Sequence, residues 1–129
     1  MRNALLIVLG LVIGVIGTVF ALNALHEHQP LSHTVMSMMD HHAGALRQAV
    51  KSRQCDAAQS QLHLGRLLET QADIKEAFPG VDQPFLDEAA KLRDKTQAAL
   101  QAAPADCAAL AAALKPIAET CQSCHQQYR

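Results

Sequence analysis

Near the C-terminus of this 129-residue chain, two cysteines and a histidine stand in the run Cys121-Gln122-Ser123-Cys124-His125. Positions three and four apart share one face of a helix, so on a helix all three side chains project the same way. Two thiols so placed reach the two vinyl groups of one porphyrin, and the imidazole beside them meets its iron. The spacing therefore reads as a covalent haem c attachment site, with Cys121 and Cys124 as the thioether cysteines and His125 as the proximal iron ligand. A redox Cys-x-x-Cys pair and a zinc site are the other chemistries such a run can serve. Zinc needs a second pair of ligands, and the remaining cysteines, Cys55 and Cys107, stand apart from each other in sequence. A redox pair belongs with alternating strands and helices, a pattern this chain lacks. Haem is the expectation.

The N-terminus agrees with that chemistry. Met1-Arg2-Asn3 is followed by a run without charge, residues 4–22. A secretory h-region runs ~7–15 residues and a spanning helix needs ~20, so the length favours an uncleaved anchor over a signal peptide. The alternative is cleavage near Val19-Phe20-Ala21, which leaves a soluble periplasmic form. Arg2 precedes the run and no Lys or Arg follows it until Arg47. By the positive-inside rule the rest of the chain then faces the periplasmic side of a bacterial inner membrane. Gly10 and Gly14 form a G-x-x-x-G, a pattern that can bring two membrane helices together as a homodimer.

The expected organisation is an anchor or signal segment over residues 1–25, a short linker over 26–30 and one domain over 31–129. That leaves about a hundred residues, enough for one small domain. A formal net charge of −1 and no basic patch argue against nucleic acid as a partner. Aromatic residues make up 3% of the chain and Trp is absent, so a conventional core would be thin. A buried porphyrin would add apolar bulk, and the many alanines would let helices approach a flat ring closely.

Hydrophobic periodicity divides the domain into helical stretches without strand patterns. The first runs from about Leu31 to Lys51 with an apolar stripe through Val35, Met39, Leu46 and Val50. After a break at Ser52-Arg53-Gln54-Cys55, Asp56 is placed to cap a second helix carrying Leu64, Leu67, Leu68, Ile74 and Phe78. Pro79-Gly80 ends it. The third begins near Pro84, carries Phe85, Ala89, Leu92, Ala99 and Leu100, and stops before Pro104. Asp106 caps the fourth, with Leu110, Leu114 and Ile117 inward and Pro116 inside it, where the ring bends the helix or removes one backbone hydrogen bond. Short connections between four amphipathic helices imply an all-α, antiparallel up-down-up-down four-helix bundle with covalent haem, preceded by one transmembrane helix.

From Leu31 to Arg129 the chain resembles the class II cytochromes c, the family of cytochrome c′ and its low-spin relatives. The resemblance rests on the C-terminal Cys-Gln-Ser-Cys-His-Gln-Gln-Tyr-Arg, on Ala-Leu-Lys-Pro-Ile-Ala before it, on Asp56-Ala57-Ala58-Gln59, and on the Met-rich first helix with Met39 and Gly44. It implies the bundle, covalent haem and an exported location. Family members commonly carry an arginine near the start of the first helix that approaches a haem propionate; here Leu31-Ser32-His33-Thr34 has none. The resemblance also directs attention to the sixth position of the iron. In cytochromes c′ a non-ligating side chain leaves it open to small gases, whereas in the low-spin relatives a first-helix methionine fills it. By that alignment Met36 falls at the distal position and Met39 at a core position, with Met38 between them. Methionines at helical spacing are also ordinary core filler.

Several other residues carry weaker signals. Met38-Met39-Asp40-His41-His42 could form a copper cluster, although neighbours on a helix diverge by ~100°. His26, His28 and His33 invite the same reading, and solvated histidines are the simpler account of all five. His63 has no partner legible in the sequence. In an up-down-up-down bundle the first and third connections share one end, which makes Cys55 and Cys107 candidates for a disulfide. Met36 precedes Cys55 by 19 positions and His125 follows Cys107 by 18. At ~1.5 Å rise per residue both lie roughly 27–29 Å from that end, at nearly equal height.

The function these readings point to is non-enzymatic. The chain is expected to carry single electrons on covalent haem, with His125 and Met36 as ligands, and to meet redox partner proteins outside the cytoplasm. Two alternatives stand beside it. One is a five-coordinate module binding nitric oxide or carbon monoxide; the other is a copper-handling protein using the Met/His-rich first helix.

Overall fold

The computed structural model describes residues 2–26 and 30–128, apart from the side chains of residues 4, 5 and 24–26. Among these residues there are six α-helices and no strand: α1 (Arg2–His26), α2 (Leu31–Ser52), α3 (Ala57–Gln71), α4 (Ile74–Ala77), α5 (Gln83–Ala102) and α6 (Cys107–Gln127). The chain divides into two compact units, Met1–Pro30 and Leu31–Arg129.

The first unit is built on α1. Its window Leu6–Asn23 is long and apolar enough to cross a membrane, and a membrane anchor and a signal sequence both meet that description. Side chains such as Ile7, Leu11 and Phe20 are exposed along it. The hydroxyl of Thr18 donates to the Gly14 carbonyl at 2.8 Å, which satisfies the polar group within the helix itself, as an apolar medium requires.

In the second unit, helix starts are written in local chemistry. Asp56, Asp82 and Asp106 each stand at an N-cap. Their carboxylates accept from the backbone N–H of Gln59 at 2.8 Å, Phe85 at 3.1 Å and Ala109 at 2.8 Å. Each such cap is worth ~0.5–2 kcal/mol over alanine. Helix ends are less regular. Gly80 adopts a φ of 81° after Pro79, and two non-glycine residues, Arg53 (φ 56°) and Ala103 (φ 44°), take left-handed conformations where α2 and α5 end.

Helix α2 packs on α3 and α6, and α5 packs on the same two helices. The apolar stripes face inward: Leu64 and Leu110 are fully buried, and Leu46, Leu67 and Ile117 nearly so. Full burial of a leucine contributes ~1.5–3 kcal/mol, so each of these side chains adds substantially to the hydrophobic term. Thr96 is buried among them although it is polar, and its hydroxyl accepts from Gln71 Nε2 at 2.8 Å while donating to the Leu92 carbonyl at 3.0 Å.

The second helix departs from the expected single run to Phe78. It ends at Gln71, and the N–H groups of Ala72 and Asp73 donate three residues back, to Glu69 and Thr70. The short α4 then restarts at Ile74. The break coincides with the buried Gln71–Thr96 contact, a tertiary interaction that hydrophobic periodicity does not report. Pro116, by contrast, leaves α6 continuous. Its missing N–H costs one intrahelical bond, while Thr120 donates its hydroxyl to the Pro116 carbonyl at 2.9 Å.

Cys55, just before the α3 cap, and Cys107, the first residue of α6, stand at disulfide distance with Cα atoms 5.2 Å apart. That lies within the usual ~4.4–6.8 Å range. The pairing read from connection topology is thus present, and it ties the α2–α3 connection to the start of α6.

Candidate functional site

Helix α6 carries Cys121, Cys124 and His125 on one face, and all three line a cleft with an inner volume of about 190 Å³. The helix is held to its last turn by the Tyr128 N–H, which donates to the Cys124 carbonyl at 3.0 Å. A wider outer part of about 540 Å³ shares Met36, Asp40, Phe85, Cys124 and His125 with the inner part. From α2 come Met36 and Met39; from α3 and α4, Leu67 and Ile74; from α5, Phe85, Ala89 and Leu92. These linings are mostly apolar, as is usual for a cofactor site.

The three methionines of α2 separate clearly. Met36 lines both parts of the cleft and is only partly buried. Met39 lines the inner part alone and is 7% exposed, packed in the core. Met38 lines neither part and is 45% exposed. A 3.6-residue repeat explains the split, since Met36 and Met39 lie on neighbouring strips of one face and Met38 points away.

Cys121 and Cys124 are free thiols, each half-buried. Burial pushes the Cys121 thiol up, and the neighbouring Cys124 adds to this against the opposing pull of Arg47. Cys124 is likewise raised, by burial first and by the Glu88 carboxylate second. At both positions the surroundings favour the neutral thiol over the thiolate. A redox Cys-x-x-Cys pair depends on the opposite, a thiolate stabilised by its surroundings. A zinc site fares no better: among the described residues, no group of three or more His, Cys, Asp and Glu side chains could hold a metal ion. Neutral thiols beside an apolar cleft suit thioether formation instead, and the donor set of two thiols, an imidazole and a thioether sulfur fits haem c.

Several lining residues were not assigned to this site from sequence. Arg47 and Asp40 form an ion pair at 2.9 Å at the cleft. Their separation of seven residues, two helical turns, is the sequence signal that places them together. Glu88 bonds Lys91 through Oε1 at 3.3 Å, while its buried Oε2 has no hydrogen-bond partner. Phe78, Phe85 and Tyr128 form an aromatic rim around the outer cleft, with centroids 5.2 Å apart for the first pair and 5.1 Å for the second. The chain has only three Phe and one Tyr. With Phe20 on α1, every remaining aromatic residue is at this rim.

The other histidines do not line the cleft. His33 is exposed near the start of α2, whereas His28 and the His26 side chain lie outside the described residues. His41 and His42 meet His63 of α3, giving His63 the partner that sequence did not reveal. His42 has a lowered pKa, through burial first and then the charges of His63, His41 and Arg66.

No family model matches the chain, and no curated protein and no solved structure is significantly similar to it.

Proposed function

We propose that this chain is an exported, membrane-anchored electron carrier of the class II cytochrome c type, with α2, α3, α5 and α6 forming an up-down-up-down bundle around one covalent haem. The observation that carries the reading is the convergence of Cys121, Cys124, His125 and Met36 on one apolar cleft. Cys121 and Cys124 would hold the macrocycle by thioethers, and His125 would supply the imidazole ligand to its iron. Met36 offers its sulfur from α2. Bound haem supplies a one-electron ferric/ferrous couple, whose potential is raised by His/Met ligation and by a low-dielectric site.

The remaining residues position and insulate. Leu67, Ile74 and Leu92 exclude water from the inner cleft, which disfavours the extra charge of the ferric form. The disulfide-distance pair Cys55 and Cys107 sets the relative height of α2 and α6, and so of Met36 and His125. Phe78, Phe85 and Tyr128 line the outer edge. A donor or acceptor protein would meet the domain outside the cytoplasm, with α1 as the tether. No substrate is transformed.

A gas-binding module is the second reading. It is favoured by the outer opening beside Met36 and His125, through which nitric oxide or carbon monoxide could reach an iron that Met36 does not ligate. The test is optical. A pyridine-haemochrome assay should report one covalent haem per chain, and haem that acid extracts intact would overturn the proposal. The ferric spectrum should then be low-spin with a methionine-sulfur band; a high-spin spectrum transfers the preference to gas binding.

A further inference from the structure

The histidine cluster on the flank of the domain is independent of the cleft. His42 Nδ1 of α2 and His63 Nδ1 of α3 are 3.0 Å apart, and both rings are half-buried. Twenty-one residues of sequence separate them, so the contact exists only because α2 packs on α3. We propose that His42 and His63 form a surface site for a divalent transition-metal ion, with Cu2+ as the preferred ion.

The separation suits two cis ligands of one ion once each ring turns its Nδ1 lone pair toward it. With metal–nitrogen bonds of ~2.0–2.1 Å, a 3.0 Å separation subtends about 94° at a shared ion. That is near the right angle between cis ligands in the tetragonal field of Cu2+. The general affinity order of divalent ions for imidazole points the same way, with Cu2+ above Ni2+ and Zn2+. Without an ion, one ring's N–H faces the other's lone pair; an ion takes the place of that proton, which moves to Nε2 of the same ring. No net proton is released.

Water completes the coordination. The His41 ring centroid lies 5.0 Å from that of His42 and 6.4 Å from that of His63, beside the pair but outside it. No third His, Cys, Asp or Glu among the described residues joins them. Arg66 places a positive charge close enough to act on His42, and its guanidinium is already paired with Glu69 at 3.0 Å, which offsets its repulsion of a cation. The copper cluster considered from sequence used one helix alone; this site takes one ligand from each of two helices and does not involve the methionines.

The test uses the full-length chain in detergent, with whatever haem it carries, titrated with Cu2+ alone. One saturable ion per chain is expected, with an electron paramagnetic resonance signal split by two nitrogens. His42→Gln and His63→Gln should each weaken binding at least tenfold, while His33→Gln leaves it unchanged and Zn2+ competes poorly. Circular dichroism of each variant confirms that the helices persist. Failure to saturate, or full affinity in the His42→Gln/His63→Gln double variant, overturns the proposal by placing copper on other histidines or nowhere. Because covalent haem is read separately by pyridine haemochrome, either proposal can fail without the other.

Discussion

Removing the Cys55–Cys107 link should cost this domain a large share of its stability. The two residues are 52 positions apart, and a cross-link over such a loop lowers the entropy of the unfolded chain by an amount worth ~4 kcal/mol at 25 °C. The proposed thioethers at Cys121 and Cys124 would both lie within α6 and would leave that loop open once the chain unfolds. For a domain of about a hundred residues, each kcal/mol moves the melting midpoint by ~4–8 °C, which puts the expected loss at roughly 15–30 °C. Native strain would reduce this, so the figure is an upper bound. The assay is thermal melting by circular dichroism of the oxidised protein, the reduced protein and the Cys55→Ala/Cys107→Ala variant. Reduced and variant forms should coincide well below the oxidised form. Equal midpoints for all three, or free thiols at both positions by non-reducing peptide mapping, would refute the reasoning. The optical spectrum supplies a second readout, because the same link holds α2 and α6 in register. If Met36 ligates iron, loosening the register should weaken the methionine-sulfur band before the helices melt.

Three further outcomes are expected. Met36→Ala should convert ferric iron to high spin and let the ferrous form bind carbon monoxide, whereas Met38→Ala, altering an exposed side chain, should leave both unchanged. With its own N-terminus the protein should remain in the membrane fraction through a high-salt wash and come off with detergent; a soluble form beginning near Leu22 would show cleavage instead. Ala103→Gly should stabilise the domain by roughly 0.5–1 kcal/mol, since φ at this position is 44° and a left-handed residue with a Cβ is strained. Chemical denaturation measures it, and a lower midpoint would contradict that account.

The features legible in the sequence were those encoded over a few residues. Charge-free residues 4–22 announced an apolar helix, because membrane-spanning capacity depends on length and composition alone. Asp56 and Asp106 announced helix starts, since a carboxylate reaches N–H groups only two or three residues on. The apolar stripes identified Val35, Leu46, Leu64, Leu92 and Leu110 as core. Even the Cys55–Cys107 pairing was reachable, because short connections between helices restrict topology to few choices.

What escaped was decided by contacts between distant residues. The break after Gln71 accompanies a buried hydrogen bond to Thr96, 25 residues away; nothing local to that segment distinguishes it from a continuing helix. Phe78, Phe85 and Tyr128 converge on one rim because three separate elements meet there. The chain alone ranks three methionines by helical phase and alignment, but only packing shows Met36 at the cleft, Met39 shared with the core and Met38 in solvent. His63 is the sharpest case. Its significance lies entirely in His42 on a neighbouring helix, and no periodicity along one helix can encode which side chain a second helix brings to within 3.0 Å. Local chemistry specified the elements, while the choice of neighbours came from burying all their apolar faces at once, a condition no single segment contains.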